Sequence, residues 1–281
     1  MTRLRIVHRT GFSYPSPASA SYNEARMTPI ADGRQFVLHS ALEVKPAATQ
    51  HAYSDYWGTR VSTFEALTPH RELSVTATSV VEVGPAVPPT QLLDWDELAQ
   101  ARGASVSLAE ALEFTNFTEP APAVVELAGS IAAAGLSPYD TALEVCRAIG
   151  ERLEYVPGVT GVHTTAADAW ATGKGVCQDI AHVVLGALRS LGIPARYVSG
   201  YLHPKPGARP GETVHGESHA WVEWFAGEWC GYDPTNRRDI GEYHVTVGRG
   251  RDYSDVPPLK GVYTGADSSQ LFVSVEITRE R

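Results

Sequence analysis

The sequence predicts an α+β fold, in which an N-terminal β-sandwich precedes a domain of helices packed on an antiparallel sheet. Three observations predict it. Residues 1–85 are patterned as strands with no helical stripe, a proline-rich break spans 84–90, and apolar stripes of helical period follow. At roughly 100–200 residues per domain, 281 residues favour two units, each large enough to bury a core without disulfide or metal staples. The expected division is 1–85 for the sandwich, 86–240 for the second domain, and 241–281 for C-terminal strands that complete the fold.

Arg3–His8, Gln35–Val44, Val61–Leu67 and Leu73–Val83 are rich in Val, Leu, Ile, Phe and Thr and read as strands. Residues 72–77 alternate with period two, as a strand buried on one face does. Tyr14–Pro17, Ala31–Gly33, Tyr56–Gly58 and Thr68–Pro69 carry turn chemistry. Gly84–Thr90 holds three prolines and suits a stiff, extended linker.

Helix signals begin beyond it. Ser137 is an N-cap, Pro138 takes the first helical position and Asp140 the third. Leu143, Cys146, Ile149 and Leu153 follow at spacings of three and four. Thr165 caps a shorter helix through Trp170, which Gly173 ends. Near the C-terminus, Leu271–Ile277 reads as a strand able to pair with either domain.

The formal net charge is −9, with 23 basic and 32 acidic residues, which argues against a nucleic-acid partner. The imbalance sits in the middle of the chain. Residues 86–240 carry ten basic and nineteen acidic groups, which favours a cationic or basic peptide substrate. Three cysteines make no disulfide framework, and their odd number fits a reducing compartment. Met1–Thr10 lacks the apolar core of a signal peptide, and no apolar run approaches the ~20 residues that span a bilayer. The expectation is a cytoplasmic protein without membrane or nucleic-acid partners.

Gly173–His182 is the most informative stretch. Ile180, Val183, Val184, Ala187, Leu188 and Leu191 share one helical face, and Gly192–Pro194 ends that helix. Its phase puts the start near Cys177, just after a glycine-rich turn. Free N–H groups and the positive end of the helix dipole there favour thiolate over thiol. A buried, inert cysteine at a tight turn is the alternative.

A nucleophile needs a base, and the base needs an orienting acceptor. His219–Phe225 and Trp229–Asp233 read as two strands around the hairpin signal Ala226–Gly227. Pairing about residue 226 sets His219 opposite Asp233. Directly paired residues have Cβ atoms roughly 4.5–5.5 Å apart, close enough for a shared hydrogen bond.

Residues 175–182 (GVCQDIAH), 218–223 (SHAWVE) and 231–236 (GYDPTN) resemble the three core motifs of bacterial transglutaminase-like proteins. The resemblance extends to residues 21–26, 55–58 and 79–83, which look like that family's N-terminal β domain, and to 247–256 and 261–263. It implies a papain/transglutaminase-like catalytic domain with a Cys-His-Asp triad. Cys177 is then the nucleophile, His219 the general base and acid, and Asp233 the residue that orients His219. Thr59 stands where Asn is expected and Cys230 where an aliphatic residue is usual; neither touches the triad.

Cys230 lies on the opposite strand face from Asp233 and Cys146 in a helical apolar stripe, so both read as core. His215 and His219 are four apart, but the segment contains Gly and runs into a strand. No Cys-x-x-Cys or His-Glu-x-x-His occurs, so neither metal nor cofactor is expected. Tyr155, Gln178 and Trp221 are candidates to contact substrate or the oxyanion, with the Cys177 N–H as the firmer donor. Asp179 and His182 follow Cys177 on its helix, in a structural network or at the site. The Pro/Gly-rich loop His203–Glu212 is either an ordinary connection or a flap over the cleft.

The expected chemistry is acyl transfer at an amide carbonyl of a peptide or protein, through a thioester. Water as acceptor makes a cysteine peptidase or amidase; a lysine amine makes a protein-glutamine transglutaminase. A peptide-binding module that kept the fold without catalysis is the third reading. Water at ~55 M favours hydrolysis where no dry acceptor channel is built.

Overall fold

The computed structural model describes residues 1–205, 207–216, 218–265 and 267–281. Six strands come first: β1 (Thr2–Ala18), β2 (Ala20–Ala25), β3 (Gln35–Lys45), β4 (Gln50–Ser54), β5 (Arg60–Ala66) and β6 (His70–Val83). Helices α1 (Trp95–Ala104), α2 (Val106–Glu110), α3 (Pro122–Ala132) and α4 (Pro138–Arg152) follow. Then come β7 (Glu154–Tyr155), α5 (Ala166–Thr172), β8 (Lys174–Gly175) and α6 (Cys177–Ser190). The remaining strands are β9 (Ala195–Leu202), β10 (Thr213–Gly216), β11 (Ser218–Phe225), β12 (Trp229–Asp233), β13 (Arg238–Asp239), β14 (His244–Gly250), β15 (Leu259–Thr264) and β16 (Gln270–Arg279).

Two sheets make the sandwich, in the orders β10-β16-β1-β6-β3 and β15-β2-β5-β4. A third, β13-β12-β11-β9-β14, carries the helices. The C-terminal segment serves all three, because β14 pairs with β9, β15 with β2 and β16 with β1.

One face of the long β1/β6 sheet builds two cores. Side chains two apart on a strand point the same way, so Leu4, Ile6 and Tyr14 share a face. Tyr14, Leu73 and Val75 pack against Phe64 and Met27 inside the sandwich. Leu4, Ile6, Val81 and Val83 pack instead against Tyr201, Val245 and Val247 of the third sheet. Between the two cores His8 and Thr10 line a cavity.

Tyr14–Pro17 does not turn the chain. β1 runs through it to Ala18, and only its ladder with β6 breaks, between Ser13 and Ala18. Prolines at 15 and 17 donate no ladder hydrogen bond, yet their backbone stays extended.

The predicted helix starts hold. Ser137 Oγ accepts from the Asp140 N–H (3.1 Å), and Thr165 Oγ1 from that of Asp168 (3.2 Å). The long helix differs from the expected one-faced stripe, since every residue of α6 from Gln178 to Arg189 is buried. Helices α3, α4 and α5 wrap it on one side and strands β9 and β11 on the other. Arg189 is tolerated there because its guanidinium donates to the carbonyls of Ala111, Glu113, Ala195 and Arg251. No described helix is long and apolar enough to cross a membrane.

Candidate active site

The turn that presents Cys177 is held from both sides. Gly173 ends α5 at φ +69°, and Val156 N–H then donates to the Gly175 carbonyl (3.0 Å) as β7 pairs with β8. Gly175 has no room for a side chain, because a Cβ there would meet the Asp179 Cβ at 2.7 Å. Asp179 reaches back from the third helical position. Its Oδ2 accepts from the Val176 N–H (2.8 Å) and the Thr160 hydroxyl (2.6 Å). Burial pushes this carboxyl's pKa up, against those hydrogen bonds. Asp179 therefore closes the start of α6 and leaves Cys177 as its first residue, where helix geometry gives the N–H no intrahelical acceptor.

His219 opens β11 and Asp233 closes β12. The hairpin register is Phe225 opposite Trp229 and Val222 opposite Tyr232, around a three-residue turn in which Gly227 takes φ +112°. His219 and Asp233 are thus diagonal neighbours, two residues off the direct pairing predicted from a turn centred on 226. Diagonal neighbours remain within reach of long side chains. His219 Nε2 donates to Asp233 Oδ2 at 2.8 Å, leaving Nδ1 as the ring nitrogen available to Cys177.

Asp233 is wholly buried and holds three donors besides His219. The Asn236 amide reaches Oδ2 (2.8 Å), and its backbone N–H reaches Oδ1 (3.0 Å). His244 Nε2 lies 3.3 Å from Oδ2, and its Nδ1 accepts from the Gly241 N–H (3.3 Å), which puts the His244 proton on Nε2. Burial alone would raise the Asp233 pKa, but the bonds from His219 and His244 hold it far below the usual carboxylate range. Burial likewise opposes charge on His219, but hydrogen bonds and charge from Asp233 and Cys177 outweigh it and raise its pKa to about 10. At neutral pH the site favours an imidazolium between the Cys177 sulfur and a carboxylate.

Asn236 and His244 were not singled out from sequence. The Asp-Pro-Thr-Asn run is a turn signal that could have nominated Asn236. His244 reaches the site only because β14 pairs with β9, a non-local contact with no local signature.

Trp221 does not line the cleft. It is wholly buried, with its ring 5.4 Å from that of His244 and 6.2 Å from that of His219. It shares strand parity with His219, but beyond His219 the cavity is bordered by Ala220, on the opposite face of β11. Tyr155 and Gln178 do border the cleft, and Gln178 Nε2 lies 3.5 Å from the Val162 carbonyl. His182 is buried between Phe117 and Tyr197 and accepts from the Tyr253 N–H (3.2 Å), so it positions a cleft residue without entering the cleft.

The cleft itself is a cavity of about 540 Å³ between the third sheet and the sandwich. Cys177, Gln178 and His219 line one side; Thr10, Leu271 and Val273 line the other. Among the described residues its lining contains no Asp, Glu, Lys or Arg. Among the described residues the acidic excess of 86–240 therefore lies outside the cleft and lends no support to a cationic substrate. The loop His203–Glu212 does not cover the cleft either. Arg279 pins it to the far end of β16, through the Ala208 carbonyl (2.9 Å) and the Gly211 N–H (2.7 Å). Pro206 in that loop lies outside the described residues.

Cys146 and Cys230 are buried in the helical core, and burial raises both thiols, Cys230 to about 12. No cluster of three or more His, Cys, Asp or Glu suited to a metal occurs among the described residues. Helix α4 presses directly on the Asp233 turn. A Cβ on Gly150 would meet the Pro234 carbonyl oxygen at 2.2 Å, a backbone atom that cannot swing aside. Gly150→Ala is expected to lose about 1–3 kcal/mol of stability, read from urea denaturation midpoints.

Comparison with known proteins agrees with this architecture. Residues 4–82 match the bacterial transglutaminase-like N-terminal region, and residues 125–234 match the transglutaminase-like superfamily. An uncharacterized protein of Mycobacterium leprae is 47% identical over 279 residues, covering 99% of both chains. One from Mycobacterium tuberculosis is 35% identical over 295 residues, covering 98% of this chain and 92% of its own. The crystal structure of a candidate cysteine protease from Cytophaga hutchinsonii superimposes with a TM-score of 0.74 at 20% identity, covering 99% of this chain and 97% of that one. That likeness is one of fold.

Proposed function

We propose, from the premise that this chain belongs to the bacterial transglutaminase-like family, that it hydrolyses a peptide or protein amide through a thioester on Cys177. One observation carries the reading: His219 borders the same cavity as Cys177 while its far nitrogen is bound by a buried carboxylate at 2.8 Å.

The Cys177 thiolate attacks the amide carbonyl carbon, and the N–H at the start of α6 receives the developing oxyanion. As the tetrahedral adduct collapses, the C–N bond breaks and the His219 imidazolium protonates the departing amine. Neutral His219 then takes a proton from water, whose oxygen attacks the thioester. The C–S bond breaks and releases the acid and the Cys177 thiolate beside the His219 imidazolium, the state from which the cycle began. Asp233 stays ionised throughout and keeps the ring in place.

Hydrolysis is favoured over transfer to an amine because the cleft is open to solvent. Tyr155 at its rim is 42% exposed, and Leu271 and Val273 are about half exposed, so water reaches the thioester. The test is to incubate the protein with a glutamine-containing peptide, with and without a primary amine, and follow ammonia, cleavage and conjugate by mass. Cleavage or ammonia without conjugate is the expected result. Conjugate as main product would make it a transferase; no turnover would make it a binding module. We also infer a cytoplasmic, reducing location, supported by three unpaired cysteines, one of which must stay reduced to act.

A further inference from the structure

Strand β10 covers only part of the edge of β16. Their pairing runs from Thr213 with Thr278 to Gly216 with Val275. The chain then crosses to the third sheet, where Ser218 pairs with Tyr201. On its other side β16 stays paired with β1 as far as Gln270 with Ser13. Among the described residues the stretch 270–274 is therefore a sheet margin with one edge occupied and the other open.

Backbone groups of alternate residues point to alternate sides of a strand. Arg279 bonds the segment leading into β10, accepting from the Gly211 N–H (2.7 Å) and donating to the Glu212 carbonyl (3.2 Å). The Phe272 carbonyl faces the other way and accepts from Thr10 on β1 (3.1 Å). The N–H and C=O groups of odd-numbered residues thus face the β10 side. Those of Val273 and Leu271 have no strand beside them among the described residues. Both residues line the cavity that holds Cys177 and His219, and they are 49% and 53% exposed.

We propose that an extended, uncharged stretch of the substrate adds to this edge as a β-strand, hydrogen-bonding the main chain of Val273 and Leu271 in the place that β10 vacates. The inference rests on the thioester reading above and assigns the sandwich a direct part in substrate binding. An open strand edge binds an extended peptide through its backbone, and alternate side chains set preference. Here those neighbours are Val273, Val275, Leu271 and Leu259, so the wall is apolar. The occupant is the acyl half of the substrate, which stays attached through both chemical steps.

The probe is acetyl-Ala-Val-Ala-Ala chloromethyl ketone, whose chloride the Cys177 thiolate displaces to form a thioether. It is compared with two versions N-methylated at adjacent internal amides, and with iodoacetamide. Strand addition predicts a period-two result in the wild-type protein. One N-methyl group slows labelling of Cys177 about tenfold, the effect of one lost main-chain hydrogen bond, and its neighbour by less than twofold. Val273→Pro, which removes only an edge N–H, is expected to slow the peptide reagent about tenfold as well. Its iodoacetamide rate should stay within twofold of wild type.

Equal effects of both N-methyl groups, or no preference of Cys177 for the peptide reagent over iodoacetamide, would overturn the proposal. If Val273→Pro fails to fold, the N-methyl pair on the wild-type protein decides alone. Failure of iodoacetamide to select Cys177 in the wild type would instead strike the thioester reading, so the two failures are distinct.

Discussion

Cys177→Ala is expected to lower amide turnover by at least about 10⁴-fold, leaving only what binding and backbone donors supply. The size follows from the loss of the atom that forms the covalent bond. Nothing nearby can replace it, because Cys146 and Cys230 lie in the helical core with thiols raised by burial. Stability should change little. Cys177 is only partly buried at the first turn of α6, and Asp179 rather than Cys177 closes that turn. Circular dichroism and a thermal melt on the same variant separate lost chemistry from lost fold.

Asp233→Ala is expected to lower turnover by about 10²–10⁴-fold and to move the alkaline limb of the pH–rate profile to lower pH. Burial works against charge on both His219 and His244; the carboxylate offsets it in each. Without Asp233, burial gains weight and the His219 pKa falls from about 10. The imidazolium that protonates the leaving amine is then lost at a less alkaline pH.

The same groups set the pH dependence of stability. The His219 pKa is raised on folding, so its contribution is full below about 6.5 and fades as pH rises toward about 10. The Asp233 pKa is depressed, so its contribution is present above about 3.9 and fades as pH falls below that. Buried His8 and His182 act oppositely to His219. Burial lowers both to about 4, so they weaken the fold as pH drops from about 6.5 toward 4. Melting temperature against pH in wild type and Asp233→Ala should show a slope between about pH 6.5 and 8.5 in the wild type alone; above that the buried Cys146 and Cys230 thiols weaken both proteins.

What was legible in the sequence was mainly local. Ser137, Thr165 and Gly173 act over three or four residues, and each sits where its capping chemistry implies. The period-two run at 72–77 became one inward face of β6, with Leu73, Val75 and Ala77 buried. Cys177 was findable because a glycine-rich turn and the phase of α6 both point to one residue. The misses were tertiary. Trp221 has the strand parity of His219, yet burial depends on which sheet covers that face. His244 and the open edge of β16 exist only because distant strands pair. The hairpin is centred on Gly227 and not on residue 226, so the residue facing Asp233 shifts by two, from His219 to Trp221. Charge summed over 86–240 said nothing about the cleft, whose described lining holds no Asp, Glu, Lys or Arg.

The most direct measurement is to find the acyl group itself. Acetyl-Ala-Val-Ala-Ala p-nitrophenyl ester, mixed with the wild-type protein and quenched in acid, should leave the acyl mass on Cys177, removable by hydroxylamine. His219→Ala should slow its formation. Hydrolysis that proceeds at the wild-type rate with no adduct on Cys177, or with the adduct on Cys146 or Cys230, would contradict the account.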